Sequence, residues 1–270
     1  MFRKITVAAL APVLLAPVLL APRAGWAQST PPSDVKTQTI QSHMPKQIVD
    51  CQPHDEAREH ADAALTQTAW SLLNKHDLDT LRPMQPQLEA AAAHAPDKPS
   101  LPEKCGDKLI VRSANMMDVI LAAGALQKQT GGHVTVEARD PLPYARLDFI
   151  IGWLDFDKGQ PAAALDWYAK GLLNDPHDVM LASEYANTLS QQHRSAEALV
   201  FVDKFLDEND DLKGAPRALM LRRRGFALAD LGRHDEAIAA DQESLKYDPN
   251  SDVAKKEIEW NQAQKAAQGH

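Results

Sequence analysis

Chemistry in this chain would start from three side chains close in sequence. Cys51, His54 and His60 are a thiolate and two imidazoles of the kind that hold zinc or copper. Their spacing argues against it. His54 and His60 are six residues apart, which at about 3.6 residues per turn places them on different faces of a helix. The run His54-Asp55-Glu56 followed by His60 also departs from the zinc-protease helix motif. The only other cysteine is Cys105, and an even pair in an exported protein most often forms a disulfide. That bond would close a loop of about 55 residues and stabilise the fold by roughly 4 kcal/mol in the chain-entropy picture. Two free buried thiols and a metal site are the alternatives.

A second candidate is the run Asp207-Glu208-Asn209-Asp210-Asp211, which begins like the alternating oxygens of a calcium loop. Leu212 then stands where glycine is required and Ala218 where the bidentate glutamate belongs, so it reads as an acidic surface loop. There is no Gly-x-Ser-x-Gly elbow, no phosphate-cradling loop and no paired-glycine fingerprint. The remaining acids are spread over helix faces as a solvated surface. The chain reads as a non-enzyme with no cofactor and no metal.

The start of the chain bears on all of this. Arg3 and Lys4 precede an apolar run from Ile5 to Leu20 interrupted by Pro12 and Pro17, and Gly25 and Ala27 offer small residues before Gln28. This is the pattern of a secretory signal peptide over residues 1–27. An uncleaved anchor is the alternative, and the two prolines and the short run suit it poorly. No cysteine follows the cleavage point and no later segment is apolar enough to span a bilayer, so no membrane insertion is expected after cleavage. Removing residues 1–27 takes away Arg3, Lys4 and Arg23 and no acid, which moves the formal charge from −8 to −11. A net-acidic body argues against nucleic acid as a partner.

Residues 28–50, rich in Ser, Thr, Pro and Gln, read as a flexible linker. A small amino-terminal module follows over 51–140. Its first helix runs from Glu56 to Lys75, on the three-to-four spacing of Ala57, Ala61, Ala64, Leu65, Ala69, Leu72 and Leu73. A second helical piece starts at Asp77 and meets Pro83 and Pro86. Leu109 to Val111 and Val134 to Val136 have strand character, with a helical stretch from Ala114 to Gln127 between them. Runs this short are compatible with a strand–helix–strand insert without requiring one.

From Tyr144 the register is regular. Gly152, Gly159, Ala164, Tyr168 and Pro176 recur as Gly225, Gly232, Ala237 and Pro249, and a weaker middle copy keeps Ala186 and Ala198. The first two copies are 34 residues apart. The segment resembles a tetratricopeptide-repeat (TPR) protein over residues 141–250, with helix pairs at 145–157/161–173, 179–191/195–207 and 217–230/234–246. Asp148, Asp155 and Asp241 stand where that family usually has aromatics, and the middle copy lacks both glycines and the proline. Residues 251–270 supply a capping helix and tail. The fold class is mainly α: an array of about three TPR hairpins plus a cap, preceded by the small module.

The resemblance implies a concave groove lined by the first helix of each pair. It places Phe149, Trp153 and Phe156 there from repeat one, Asn187 from repeat two, and Arg222 and Phe226 from repeat three. Aromatics beside an arginine suit a peptide with apolar anchors and a carboxylate. The five-residue carboxylate clamp of chaperone-binding members is not reproduced. Only Asn187 and an arginine at 222 or 223 are reminiscent of it, and Phe149 and Trp153 replace its Lys and Asn. The reading is a non-catalytic periplasmic or secreted scaffold that binds a protein or peptide. The alternative is a structural subunit whose groove is filled by its own amino-terminal module or by a second copy. A metal-handling protein is a further alternative. Export is directly checkable: amino-terminal sequencing of envelope or culture material should return a chain beginning near Gln28, and recovery of Met1 would overturn the leader.

Overall fold

The computed structural model describes residues 48–98, 101–113, 119 and 135–268. The chain divides into two units, 1–38 and 39–270, and every described residue belongs to the second. The leader expected at 1–27, residues 28–47 of the expected linker and, apart from Val119, the helix expected over 114–127 lie outside the described residues.

Asp55 caps α1 (Glu56–Asn74) by accepting from the Arg58 amide at 3.0 Å, while Glu56 and Glu59 complement the positive end of the helix dipole. At the far end His76 takes a left-handed φ of 59°. Its N–H donates to the Leu73 carbonyl and that of Asp77 to the Leu72 carbonyl, the Schellman arrangement. Asp77 then caps α2 (Leu78–Leu81) through the Thr80 amide. Pro83 and Pro86 fall in the first turns of a 3-10 turn (Arg82–Met84) and of α3 (Gln85–Ala92), where no amide is needed for the ladder. The helical path therefore survives both prolines.

A four-stranded sheet follows in the order β1 (Val49–Asp50), β2 (Glu103–Cys105), β3 (Lys108–Arg112), β4 (Thr135–Arg139). β1 and β2 are parallel, β2 and β3 form a tight hairpin at Gly106, and β3 and β4 are parallel. Val49 and Asp50, read from the sequence as the end of a linker, instead pair with Glu103 and Lys104. Cys51 and Cys105 are bonded, with Cα atoms 4.7 Å apart. The bond closes the loop that carries α1 to α3. Leu109, Val111 and Val119 form a small core with Ile48 and Val136.

The repeats then stack as α4 (Tyr144–Asp157) with α5 (Pro161–Asn174), α6 (Val179–Gln191) with α7 (Ser195–Glu208), and α8 (Gly214–Asp230) with α9 (His234–Tyr247). The cap is α10 (Asp252–Gln268). These bounds match those the resemblance implied, so the array has tetratricopeptide-type hairpins. Each turn repeats the α1–α2 geometry. Gly159 and Gly232 have φ of 75° and 73°, and in the middle repeat His193 adopts φ 59° without being glycine. Seven residues before each of these lies a small residue: Ala69, Gly152, Ala186 and Gly225.

The helices α1 to α3 are thus a fourth hairpin of the same kind, set between β1 and β2 rather than belonging to a separate helical module. Arg82 pairs with Asp157 at 2.8 Å, Gln85 donates to Asp155 at 2.6 Å, and Lys158 donates back to Gln85. Beneath these contacts one apolar core runs from Ala69, Leu81 and Leu88 through Tyr144 and Ile150 to Leu221.

The crossing at Gly152 admits a sharp test. A Cβ there would lie 2.6 Å from the Tyr168 ring. Gly152→Ala should destabilise the fold by roughly 1–3 kcal/mol. His193→Gly, which relieves a left-handed non-glycine residue on an exposed turn, should hold or raise the melting temperature. An unchanged melting temperature for Gly152→Ala would mean that α4 and α5 do not cross there.

Candidate protein-binding face

The first helices of the three later hairpins, α4, α6 and α8, carry the groove residues singled out from the sequence. Phe149 does not offer its ring to a partner. It is 6% exposed, meets Trp70 of α1 edge-on at 5.7 Å, and lies 6.2 Å from Tyr168. Its place on a binding face is therefore corrected: the amino-terminal hairpin, absent from a three-repeat array, covers it. Trp153 and Phe156 are half-buried, seated on the same core, and Phe226 is half-buried on α8.

The polar residues are engaged within the protein. Arg222 donates to Asp248 at 3.2 Å. The neighbouring Arg223 bridges two repeats, donating to Ser183 at 2.8 Å and to Asn187 at 3.1 Å, with Glu184 at 3.5 Å. Burial lowers the pKa of Arg223, and Glu184 opposes that shift. Asn187 and Arg222 thus lie in different networks, and Arg223 is the arginine that meets Asn187. Sequence alone could not choose between adjacent arginines in one helical turn. Trp70 and Trp260 were also missed. Trp70 follows the small Ala69 as Trp153 follows Gly152, and Trp260 lies 34 residues after Phe226, so the repeat offset was the signal that could have found them.

Of the donors considered for a metal, Cys51 and His54 are otherwise occupied. Cys51, Glu103 and Cys105 lie close together, but the two sulfurs are bonded to each other. His54 places Nδ1 2.5 Å from Glu59 and Nε2 2.9 Å from Glu103. His60 lines a cleft of about 640 Å³ with Glu56, Glu59, Arg112 and Arg139. In the acidic loop, Asn209 is buried, accepts at Oδ1 from His177 Nδ1–H at 2.6 Å and donates from Nδ2 to the Phe205 carbonyl.

No family model and no curated protein matches the chain. Among solved structures it is similar to the second TPR domain of human RPAP3 in complex with the HSP70 peptide SGPTIEEVD. That match has 20% identity and a TM-score of 0.38, and covers 44% of this chain and 98% of that one. It is also similar to the Sgt2 TPR domain from Aspergillus fumigatus (18% identity, TM-score 0.43, covering 48% and 83%). A third is the Arabidopsis OM64 TPR domain (17% identity, TM-score 0.40, covering 44% and 94%).

Asp148, Asp155 and Asp241 are buried where this array departs from aromatic packing, and burial raises two of these carboxyls. Burial pushes Asp148 up to about 7 against the opposing influence of Lys170 and of the hydrogen bond from Asn174. Asp241 is 1% exposed and lies against Gly225 as Tyr168 lies against Gly152. Among the described residues neither of its oxygens has a hydrogen-bond partner. Burial, with Glu257 of α10 adding to it and Arg222 opposing, pushes Asp241 up to about 7. A carboxyl raised in the fold keeps its proton where the unfolded chain has lost it. Its stabilising share is therefore complete below about pH 4 and falls away as pH rises through about 7. Asp241→Asn should raise the melting temperature by roughly 4 °C or more at pH 8 and by clearly less at pH 4.5. Equal shifts at both pH values would contradict the assignment.

Proposed function

We propose that this protein is an exported, non-catalytic scaffold that binds a protein or peptide partner on the face formed by its A helices, α4, α6, α8 and α10. The observation that carries the reading is the half-buried aromatic series Trp153, Phe156 and Phe226, carried on the first helices α4 and α8. Aromatic anchors of this kind supply most of the affinity in peptide-binding surfaces. The leader pattern and the Cys51–Cys105 bond support an oxidising compartment, periplasmic or extracellular. The acidic-ended peptide of the human domain is not carried over, because the clamp residues are absent and Arg222 and Arg223 are engaged internally.

A second reading is favoured by one contact. Phe149 is covered by Trp70, so part of the face is already filled by the chain's own amino-terminal hairpin. On that reading the aromatics serve folding alone. A photo-crosslinking residue placed at Trp153 or Phe226 should trap a partner in envelope extracts, whereas one at the exposed Lys246 on α9 should not. Trp153→Ala should abolish trapping at 226 with the helical signal retained. Early melting of Trp153→Ala together with no crosslink at either position would favour the structural subunit.

A further inference from the structure

We propose that the occupant of this face is an extended basic segment, whose lysine or arginine side chains stack on Trp153, Phe226 and Trp260. The inference rests on the A-helix reading above and adds the chemistry of the partner.

The residue that follows the small residue of each A helix is Trp70, Trp153, Asn187 and Phe226 in turn. Trp260 continues the series on α10, where Ala254 and Asn261 are buried as Met220 and Ala227 are, 34 residues earlier. Four of these five equivalent positions are aromatic. The first shows what such a ring accepts: the Arg146 guanidinium lies 5.2 Å from the ring centroid of Trp70. Among the described residues no lysine or arginine stacks on Trp153, Phe226 or Trp260. Trp260 is 48% exposed and meets the His234 ring edge-on at 5.8 Å.

Charge points the same way. One turn beyond Trp153 and Phe226 stand Asp157 and Asp230, an aromatic followed by a carboxylate in each case. Asp157 is held by Arg82. Asp230 accepts the Ser195 hydroxyl, and no described cation pairs with it. The cations nearest Phe226 are neutralised within the fold, Arg222 by Asp248, Arg223 by Glu184 and Arg224 by Asp203. An acidic peptide would therefore meet no unpaired arginine there, whereas the chain's formal charge of −8 draws a basic one. Neighbouring helices pack about 10 Å apart, close to one turn of an extended polyproline II chain, three residues at about 3.1 Å each, which returns every third side chain to the same side. Basic residues three apart would then reach Phe226 and Trp260 together.

The test is titration of the mature protein with three synthetic peptides of one length, carrying arginine, citrulline or glutamate at every third position, read by calorimetry and tryptophan emission. The arginine peptide should bind most tightly. Citrulline should weaken binding roughly three- to thirtyfold. Phe226→Leu and Trp260→Leu, which keep the surface apolar, should each cost a similar factor without lowering the melting temperature. Equal affinity for arginine and citrulline, or tighter binding of glutamate, would overturn the proposal. If that binding were lost in the leucine variants, the A-helix face would still be the binding surface. Arginine-peptide binding unaffected by either leucine variant would also overturn it, as would no binding of any peptide, and only the absence of crosslinks at 153 and 226 would then remove the face itself.

Discussion

Tyr168 lies against the bare Cα of Gly152, and the spacing of the array follows from contacts of that kind. A hairpin of two helices can bring its crossing point this close only if one partner contributes almost no side chain. Ala69, Gly152, Ala186 and Gly225 meet that condition in turn. The left-handed residue seven positions later closes each hairpin with the same pair of hydrogen bonds. Where the crossing is filled by Asp241 instead of an aromatic, a carboxyl is buried with no hydrogen-bond partner among the described residues, and proton binding takes over part of the task that apolar packing performs at Tyr168.

The same constraint explains why the amino-terminal helices belong with the repeats. α1 and α2–α3 obey it, pack on α4 through Gln85, Arg82 and the shared core, and cover Phe149. Strands β2 to β4 are then an insertion between the first hairpin and the second, and β1 joins them from ahead of α1. The disulfide joins the chain just before α1 to the end of β2, and His54 ties the same region to Glu59 of α1 and Glu103 of β2. A solenoid presents the first helix of each unit along one side, and the proposed partner sits on the aromatic series there.

What could be read from the sequence was what a single residue type dictates. Gly159 and Gly232 announce left-handed turns, an even cysteine pair announces a bond, and the repeat register of the resemblance set the helix limits of the array within one to three residues. The first hairpin was hidden because His76 and Leu81 stand where glycine and alanine mark the later copies, and because two prolines suggested a broken helix. Their placement at helix starts removes that objection. The two-residue strand β1 carries too little pattern to be separated from a linker. Among the site residues, Trp153, Phe156 and Phe226 lie half-buried on their helices. Phe149 was misplaced because the element that covers it had been assigned elsewhere, and Arg223 could not be told from Arg222 without knowing the helix rotation.

The central claim is that α1 to α3 are the first hairpin of one continuous array. Native-state hydrogen exchange measures it most directly, by comparing the opening free energies of core amides in α1 and α3 with those in α4 and α5. One cooperative unit predicts that these amides open together, with equal free energies within about 1 kcal/mol. Amides of α1 and α3 that exchange through a separate, lower-energy opening while α4 and α5 stay protected would contradict it.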